Sequence, residues 1–309
     1  MKLVAAFFKI IRWPNLFFIA LTQGLFYFCV FENLMQVNLG AKAHVLFYLL
    51  VAASVLIAGA GYIINDYFDL SIDAVNKPKK IVIDRVIKRR WAIVWHWILS
   101  GLGLLLSFYI SYKIGSWIIA LANVLVVFIL WFYSTTFKKK LLSGNIIIAA
   151  LTAWVIVVVY FFCGAHISIW HIDTATMGAR FFKFTVLYAG FAFIVSLIRE
   201  VIKDIEDMEG DARYGCKTMP IVWGVPTSKV FTGVWLVVCI AALAIVQLYA
   251  WQLGWFIICT YTIVLIIFPL LYILRGLYKA NTPADYHRLS TIIKLVMLAG
   301  ILSMLFFIF

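Results

Sequence analysis

Runs of about twenty apolar residues recur from one end of this chain to the other, and no other feature limits its fold so tightly. The stretch VLFYLLVAASVLIAGAGYII is typical. Twenty residues of α-helix cover about 30 Å, the thickness of a bilayer's hydrocarbon core. Inside lipid every backbone N–H and C=O must find a partner within the protein, so only helices and closed barrels can span. Runs of this length without strict alternation of polar and apolar residues choose helices. Hydrophobic residues make up 65% of the 309 and charged residues 13%, whereas a globular chain is nearer half and a quarter. The composition excludes a soluble bundle and predicts an all-α, polytopic membrane protein.

Nine spans are expected, at 14–34, 43–65, 91–112, 116–137, 143–163, 181–203, 229–250, 252–274 and 290–309, with hairpin turns near 113–116 and 250–254. Nothing divides the chain, which is read as one membrane domain over 1–309. The opening MKLVAAFFKIIRWPN has Lys9 and Arg12 within its apolar stretch and no small-residue cleavage site. It suits a short helix lying in the interface rather than a signal peptide. With the N-terminus in the cytoplasm, 22 of the 26 Lys and Arg fall on the cytoplasmic side. That asymmetry follows the positive-inside rule and would scramble if one span were missed. The net charge of +13 therefore reports orientation and attraction to anionic headgroups, and gives no ground for nucleic acid as a partner. The five cysteines are scattered without metal-type spacing, and His166 and His171 lie five apart; no disulfide framework or histidine metal site is expected.

The acids form a second pattern. Nine of the 13 Asp and Glu fall in two short segments, NDYFDLSID at 65–73 and the stretch from Glu200 to Asp211 containing KDIEDMEGD. The first ends span 2 and the second ends span 6, so both arrive at the cytoplasmic face. At about 100° per residue, Asn65, Asp69 and Asp73 make one helical stripe flanked by Asp66. Glu200, Asp204, Asp207 and Asp211 make another, within about 60° of arc, with Glu206 and Glu209 pointing away.

Acids at membrane depth are costly and tend to be kept for a task. Carboxylates packed this closely repel unless cations neutralise them. Oxygen donors without His or Cys suit Mg²⁺, which prefers to be shared with substrate phosphates. Basic residues crowd the same segments: Lys77, Lys79, Lys80 and Arg85 after the first, and Lys203, Arg213 and Lys217 in and after the second. The triplet Lys138, Lys139 and Lys140 reads first as a topology anchor. Acids, metal and basic groups together can grip a diphosphate, and the apolar helices around a central cavity would take a hydrocarbon tail. Gly59 and Gly61 would permit close helix packing.

NDYFDLSID reads as NDxxDxxxD, and KDIEDMEGD holds a DxxxD spacing at Asp207 and Asp211. With nine spans, the chain resembles the UbiA superfamily of intramembrane prenyltransferases over its whole length. RWPN at 12–15 is similar to the family's N-terminal arginine–asparagine stretch, and YSTTFKKK at 133–140 to its tyrosine-plus-lysine segment. The resemblance implies two Mg²⁺ ions, held by Asn65, Asp69 and Asp73 and by Asp207 and Asp211, that bind a prenyl diphosphate. It makes Asp66 and Asp204 near ligands or orienters, and places Arg12, Asn15, Asn65, Lys77, Tyr133, Lys138, Lys203 and Lys217 around the substrate. Pyrophosphate would leave, and a lipophilic acceptor would attack the allylic cation. Where family members often have arginine before the proline after the first motif, this chain has Lys77, which keeps the charge and loses the bidentate fork.

REVIKDIEDMEGDARYGCKTMPIVWG is most similar to the branch that alkylates geranylgeranylglyceryl phosphate. Branches with 4-hydroxybenzoate or naphthoate acceptors share the same machinery. The implied enzyme sits in the plasma membrane with its site toward the cytoplasm and no obligate protein partner. An ion-coupled transporter would carry its acids near mid-span in repeated halves, and here they sit at helix ends. An alcohol-phosphatidyl transferase would need further acids after GDAR at 210–213, and they are absent.

Overall fold

The computed structural model describes residues 2–76, 78, 81–167 and 175–308; Lys77, Lys79, Lys80 and His171, singled out above, lie outside them. The described residues are helical almost throughout, with a single isolated bridge between Ile83 and Ile87. In chain order they form α1 (Lys2–Ile10), α2 (Trp13–Leu25) continuing as a π-helix Phe26–Asn33, α3 (Ala41–Phe68), α4 (Leu70–Asn76), α5 (Arg89–Ile114) and α6 (Ile118–Thr135). After a 3₁₀ turn at Phe137–Lys139 come α7 (Ser143–Ile167), α8 (Ala175–Glu206), α9 (Met208–Arg213), α10 (Met219–Val222) and α11 (Gly224–Gln252). The chain ends with α12 (Phe256–Thr262), a π-helical turn Ile263–Ile267, α13 (Phe268–Lys279), α14 (Pro283–Leu302) and a 3₁₀ segment Ser303–Ile308.

Among the described residues nine helices are long and apolar enough to cross a membrane, one for each expected span. The tight connections close on glycines in the left-handed region, Gly115 at φ 68° and Gly254 at φ 79°, where residues with a Cβ are strained. The main boundary error is at the last span. The sequence places its start at 290, but α14 begins at Pro283 because Thr282 and Asp285 form a capping box. Hydropathy finds the apolar run, whereas a cap extends the helix through polar residues before it.

The chain divides into two compact units. One comprises Met1–Lys138 and Trp154–Thr185, the other Lys139–Ala153 and Val186–Phe309; α7 and α8 each contribute to both. In the first unit α3 is the helix around which others pack. Its Gly59 meets Ile11 and Leu16, its Gly61 meets Leu130 of α6, and Gly103 of α5 lies against Ala53 and Ile57 of α3. Small residues at such crossings let helix backbones approach in a lipid environment where the hydrophobic effect gives little drive to associate. Polar side chains in this unit are paired across helices: Gln23 Nε2 donates to Ser54 Oγ at 3.0 Å, and Asn123 Nδ2 to Ser107 Oγ at 2.8 Å. α1 buries Ala6 and Ile10 in a cluster with Ile83, Ile87 and Ala92, while Leu3, Val4 and Phe8 are exposed. An amphipathic helix with this division suits the membrane surface.

The second unit is built on Val195, Ile198 and Ile202 of α8, packed with Leu236 of α11, Leu270 and Ile273 of α13, and Ile293 and Val296 of α14. All five cysteines of the chain are free and buried.

A Cβ at Gly103 would stand 2.7 Å from Ile57 Cγ1 and 3.2 Å from the Ala53 backbone oxygen, and the latter cannot rotate away. Gly103→Val is therefore expected to lower stability by about 1–3 kcal/mol, read as a loss of thermal stability of the purified protein in detergent.

Candidate functional site

Each unit carries one acidic motif, and the two have the same backbone. In the first, α3 stops at Phe68, Asp69 adopts φ −90° and ψ −2°, and α4 resumes at Leu70. In the second, α8 stops at Glu206, Asp207 adopts φ −94° and ψ 4°, and α9 resumes at Met208. The sequence predicts straight helical stripes through both motifs; the structure interrupts each at its middle acid. Asp69 and Asp207 thus occupy the bridge region of backbone space, sparsely used and common at active sites. The break residue nevertheless keeps its own helical hydrogen bonds, as donor and as acceptor. Asp69 N donates to Asn65 O at 3.0 Å and Asp73 N to Asp69 O at 2.8 Å, while Asp207 N donates to Lys203 O at 2.9 Å and Asp211 N to Asp207 O at 3.2 Å. The physical reason for the first break is visible in its partners: Asp69 is drawn to 3% exposure between two donors, and the bend buries Ile72 beside it.

Those donors are Asn65, whose Nδ2 donates to Asp69 Oδ2 at 2.8 Å, and Lys138, whose ammonium pairs with the same oxygen. The lysine triplet is thus not three equivalent anchors. Lys139 and Lys140 are exposed, but Lys138 is pulled onto a buried acid. Burial opposes its charge, but Asp69, Tyr133 and Asp73 outweigh that cost and hold Lys138 protonated far above the usual lysine range. Tyr133 therefore belongs to this neighbourhood. Arg12 behaves similarly. Its Nη2 donates to Asp66 Oδ1 at 2.6 Å, and its guanidinium lies 5.1 Å from the centre of the Tyr62 ring. Burial again opposes the charge, and Asp66 and Tyr62 more than offset it, so Arg12 is held charged. Arg12 itself sits at φ 53°, in the left-handed region, as the joint between α1 and α2. Asn15 is half-buried one turn on, its N–H donating to Arg12 O at 2.8 Å.

In the second motif Asp204 accepts a hydrogen bond from Asn145 Nδ2 at 2.8 Å, and Asp211 is buried. Glu200, placed on the same stripe by sequence, is paired with its neighbour Arg199 at 2.7 Å. Glu206 pairs with His287 at 2.8 Å and Glu209 with Arg213. Lys203 is half-buried on α8 and Lys217 exposed, its N–H donating to Lys139 O at 2.8 Å. Sequence reasoning missed Asn145. Its signal was an amide, one residue after Gly144, at the head of the otherwise apolar run of α7, and a buried polar side chain at such a place usually has a task.

The donor set fits Mg²⁺. Among the described residues no three or more His, Cys, Asp or Glu side chains form a ready cage, and each motif offers carboxylate oxygens without a nitrogen or sulfur ligand. Asn65 Oδ1 is buried with no hydrogen-bond partner, next to the carboxylate that its own Nδ2 holds. A buried amide oxygen left unpaired costs about 1–3 kcal/mol, and a hard cation is the kind of partner that would satisfy it.

The family model of the UbiA prenyltransferase family matches residues 14–298. The chain belongs to this family. Among curated relatives, digeranylgeranylglyceryl phosphate synthase of Methanoregula boonei is 31% identical over 221 residues, covering 68% of this chain and 67% of the relative. The synthase of the same name from Methanosarcina mazei is 32% identical over 174 residues, covering 54% and 51%. The chain thus spans about two thirds of one relative and half of the other. A solved structure concerned with digeranylgeranylglyceryl phosphate synthase in membranes superposes with TM-score 0.61 at 23% identity, over 98% of this chain and 99% of that one. A UbiA homologue from Archaeoglobus fulgidus, bound to DMAPP and Mg²⁺, superposes with TM-score 0.58 at 17% identity, over 96% and 98%. At such identities these structures establish the UbiA fold.

Because Lys138 offsets the charge of a nearly inaccessible carboxylate, Lys138→Met is expected to destabilise the metal-free protein by about 1–3 kcal/mol. The exposed neighbour Lys139→Met should leave the melting temperature in detergent unchanged.

Proposed function

We propose that this chain transfers a geranylgeranyl group from its diphosphate to geranylgeranylglyceryl phosphate, with Mg²⁺, at the cytoplasmic face of the plasma membrane. The observation that carries the reading is the first motif's geometry: a buried, unpartnered Asn65 oxygen beside Asp69, in a segment matching NDxxDxxxD. The curated relatives' activity supports the acceptor, the Archaeoglobus fulgidus homologue bound to DMAPP and Mg²⁺ supports donor and metal, and the distribution of Lys and Arg supports the orientation. The family match over most of the chain supports one prenyltransferase domain spanning residues 1–309.

In this reading Asn65, Asp69 and Asp73, and in the second motif Asp207 and Asp211, hold two Mg²⁺ ions with the donor's diphosphate, and Asp66 and Asp204 orient them. When bound, Mg²⁺ neutralises the diphosphate and stabilises the charge that grows on it as it departs. Arg12 and Lys138 keep Asp66 and Asp69 compensated before loading and turn their charge toward the diphosphate afterwards. Asn15, Lys77, Tyr133, Lys203 and Lys217 complete the substrate's polar surroundings. The bond between C1 of the prenyl chain and the diphosphate oxygen breaks with its electron pair going to pyrophosphate. The acceptor's hydroxyl oxygen then bonds to C1 and releases its proton. Tyr133 offers a π face to the developing allylic cation.

The test is incorporation of radiolabelled geranylgeranyl diphosphate into lipid by purified protein, with and without Mg²⁺, offering geranylgeranylglyceryl phosphate and 4-hydroxybenzoate separately. Mg²⁺-dependent product with the glyceryl phosphate alone is expected; product with 4-hydroxybenzoate alone would replace the acceptor, and no turnover or diphosphate binding would end the reading. In the same assay Asp69→Ala and Asp207→Ala are expected to abolish turnover, while Glu206→Ala and Glu209→Ala, engaged by His287 and Arg213, stay within about twofold of the parent, as substitutions outside the site do.

A further inference from the structure

The two acidic motifs correspond position by position. Asp66 matches Asp204, Asp69 matches Asp207 and Asp73 matches Asp211, each pair at the same place relative to a helix break of the same torsion angles. One position differs in kind: Asn65 in the first motif corresponds to Lys203 in the second. In the first motif Asn65 supplies the amide that fixes a carboxylate, donating to Asp69 Oδ2 at 2.8 Å. Position 203 therefore offers no amide to Asp207, the counterpart of Asp69. The second motif nonetheless has an amide. It comes from another helix, the third residue of α7, where Asn145, 7% exposed, donates to Asp204 Oδ2 at 2.8 Å.

We propose that Asn145 is the positioning residue of the second acidic motif, holding Asp204, the counterpart of the Arg12-paired Asp66, in a fixed orientation toward the metal-bearing diphosphate. A neutral donor suits this task. It engages one carboxylate oxygen, so the side chain's rotation is set, and leaves the carboxylate's negative charge intact for a cation. Arginine or lysine there would also orient the acid, but would compete with Mg²⁺ for its charge. The helix that presents Asn145 is itself anchored on α8 two turns further along, where Thr152 Oγ1 and Ser196 Oγ lie 3.2 Å apart. Partners that orient ligating groups typically change metal affinity by about 10–100-fold when removed.

The inference rests on the Mg²⁺–diphosphate reading, and the experiment separates the two. Mn²⁺ binding to the purified protein is followed by electron paramagnetic resonance in the presence of a non-ionising thiolo analogue of geranylgeranyl diphosphate. It is measured for the parent protein and for Asn145→Ala, Asn145→Leu and Thr152→Val. The leucine variant conserves volume, so a folding failure of the alanine variant does not end the test. The threonine variant loosens α7 from α8 without touching Asp204. The expected result is an at least tenfold higher Mn²⁺ concentration for half-saturation in both Asn145 variants, with Thr152→Val unchanged. In turnover assays the Mg²⁺ requirement should rise in parallel, with kcat largely recovered at saturating metal. Unchanged Mn²⁺ affinity in the Asn145 variants would overturn the positioning role, and so would an equal shift in Thr152→Val, which would assign the effect to helix docking. Failure of the parent protein to bind Mn²⁺ with the analogue would instead overturn the function on which it rests.

Discussion

A carboxylate at the end of a membrane-length helix must be compensated, and this structure is organised around that demand. Leaving an ion unpaired in a low-dielectric surrounding costs several kcal/mol, and three acids of the two motifs are held by donors of different kinds. Asp66 has a guanidinium, Asp69 an ammonium and an amide, and Asp204 an amide. The compensation is graded. Arg12 and Lys138 stand against the first motif, while in the second a neutral amide orients Asp204.

The helices are subordinate to the same demand. Both motif helices break at the middle acid, yet the i to i−4 hydrogen bonds persist across the break. The bend lets three acids of one motif diverge from a simple stripe. Around the first motif, glycines at the crossings of α3 with α2, α5 and α6 hold the helix that carries it, so the position of Asp69 depends on close backbone packing deep in the bundle.

The architecture was legible in the sequence because hydrocarbon thickness and backbone satisfaction leave few alternatives; nine apolar runs, two glycine turns and the acidic motifs could be placed by residue number. The partners of the acids were less so. Nothing in KKK distinguishes Lys138 from its neighbours, since burial against Asp69 is a tertiary fact. Asn145 lay in plain view at the head of α7, but its meaning depended on a residue 59 positions away. The breaks at Asp69 and Asp207 escaped the 100° construction because helical periodicity has no way to signal a bend that leaves the hydrogen-bond ladder almost whole. Glu206 falls off the acidic stripe, and in the structure it pairs with His287.

Arg12 joins two roles in one residue. It is the left-handed joint between α1 and α2, and it rests on Asp66 and the Tyr62 ring. A strained torsion of this kind persists only when its surroundings over-determine it, and here the clamp is the acidic motif itself. α1 presents Leu3, Val4 and Phe8 outward, so whatever tilts that helix in the headgroup layer turns the same pivot from which the guanidinium reaches its acid. The tilt of α1 and the electrostatics of the acidic end of α3 are thereby hinged on a single φ angle.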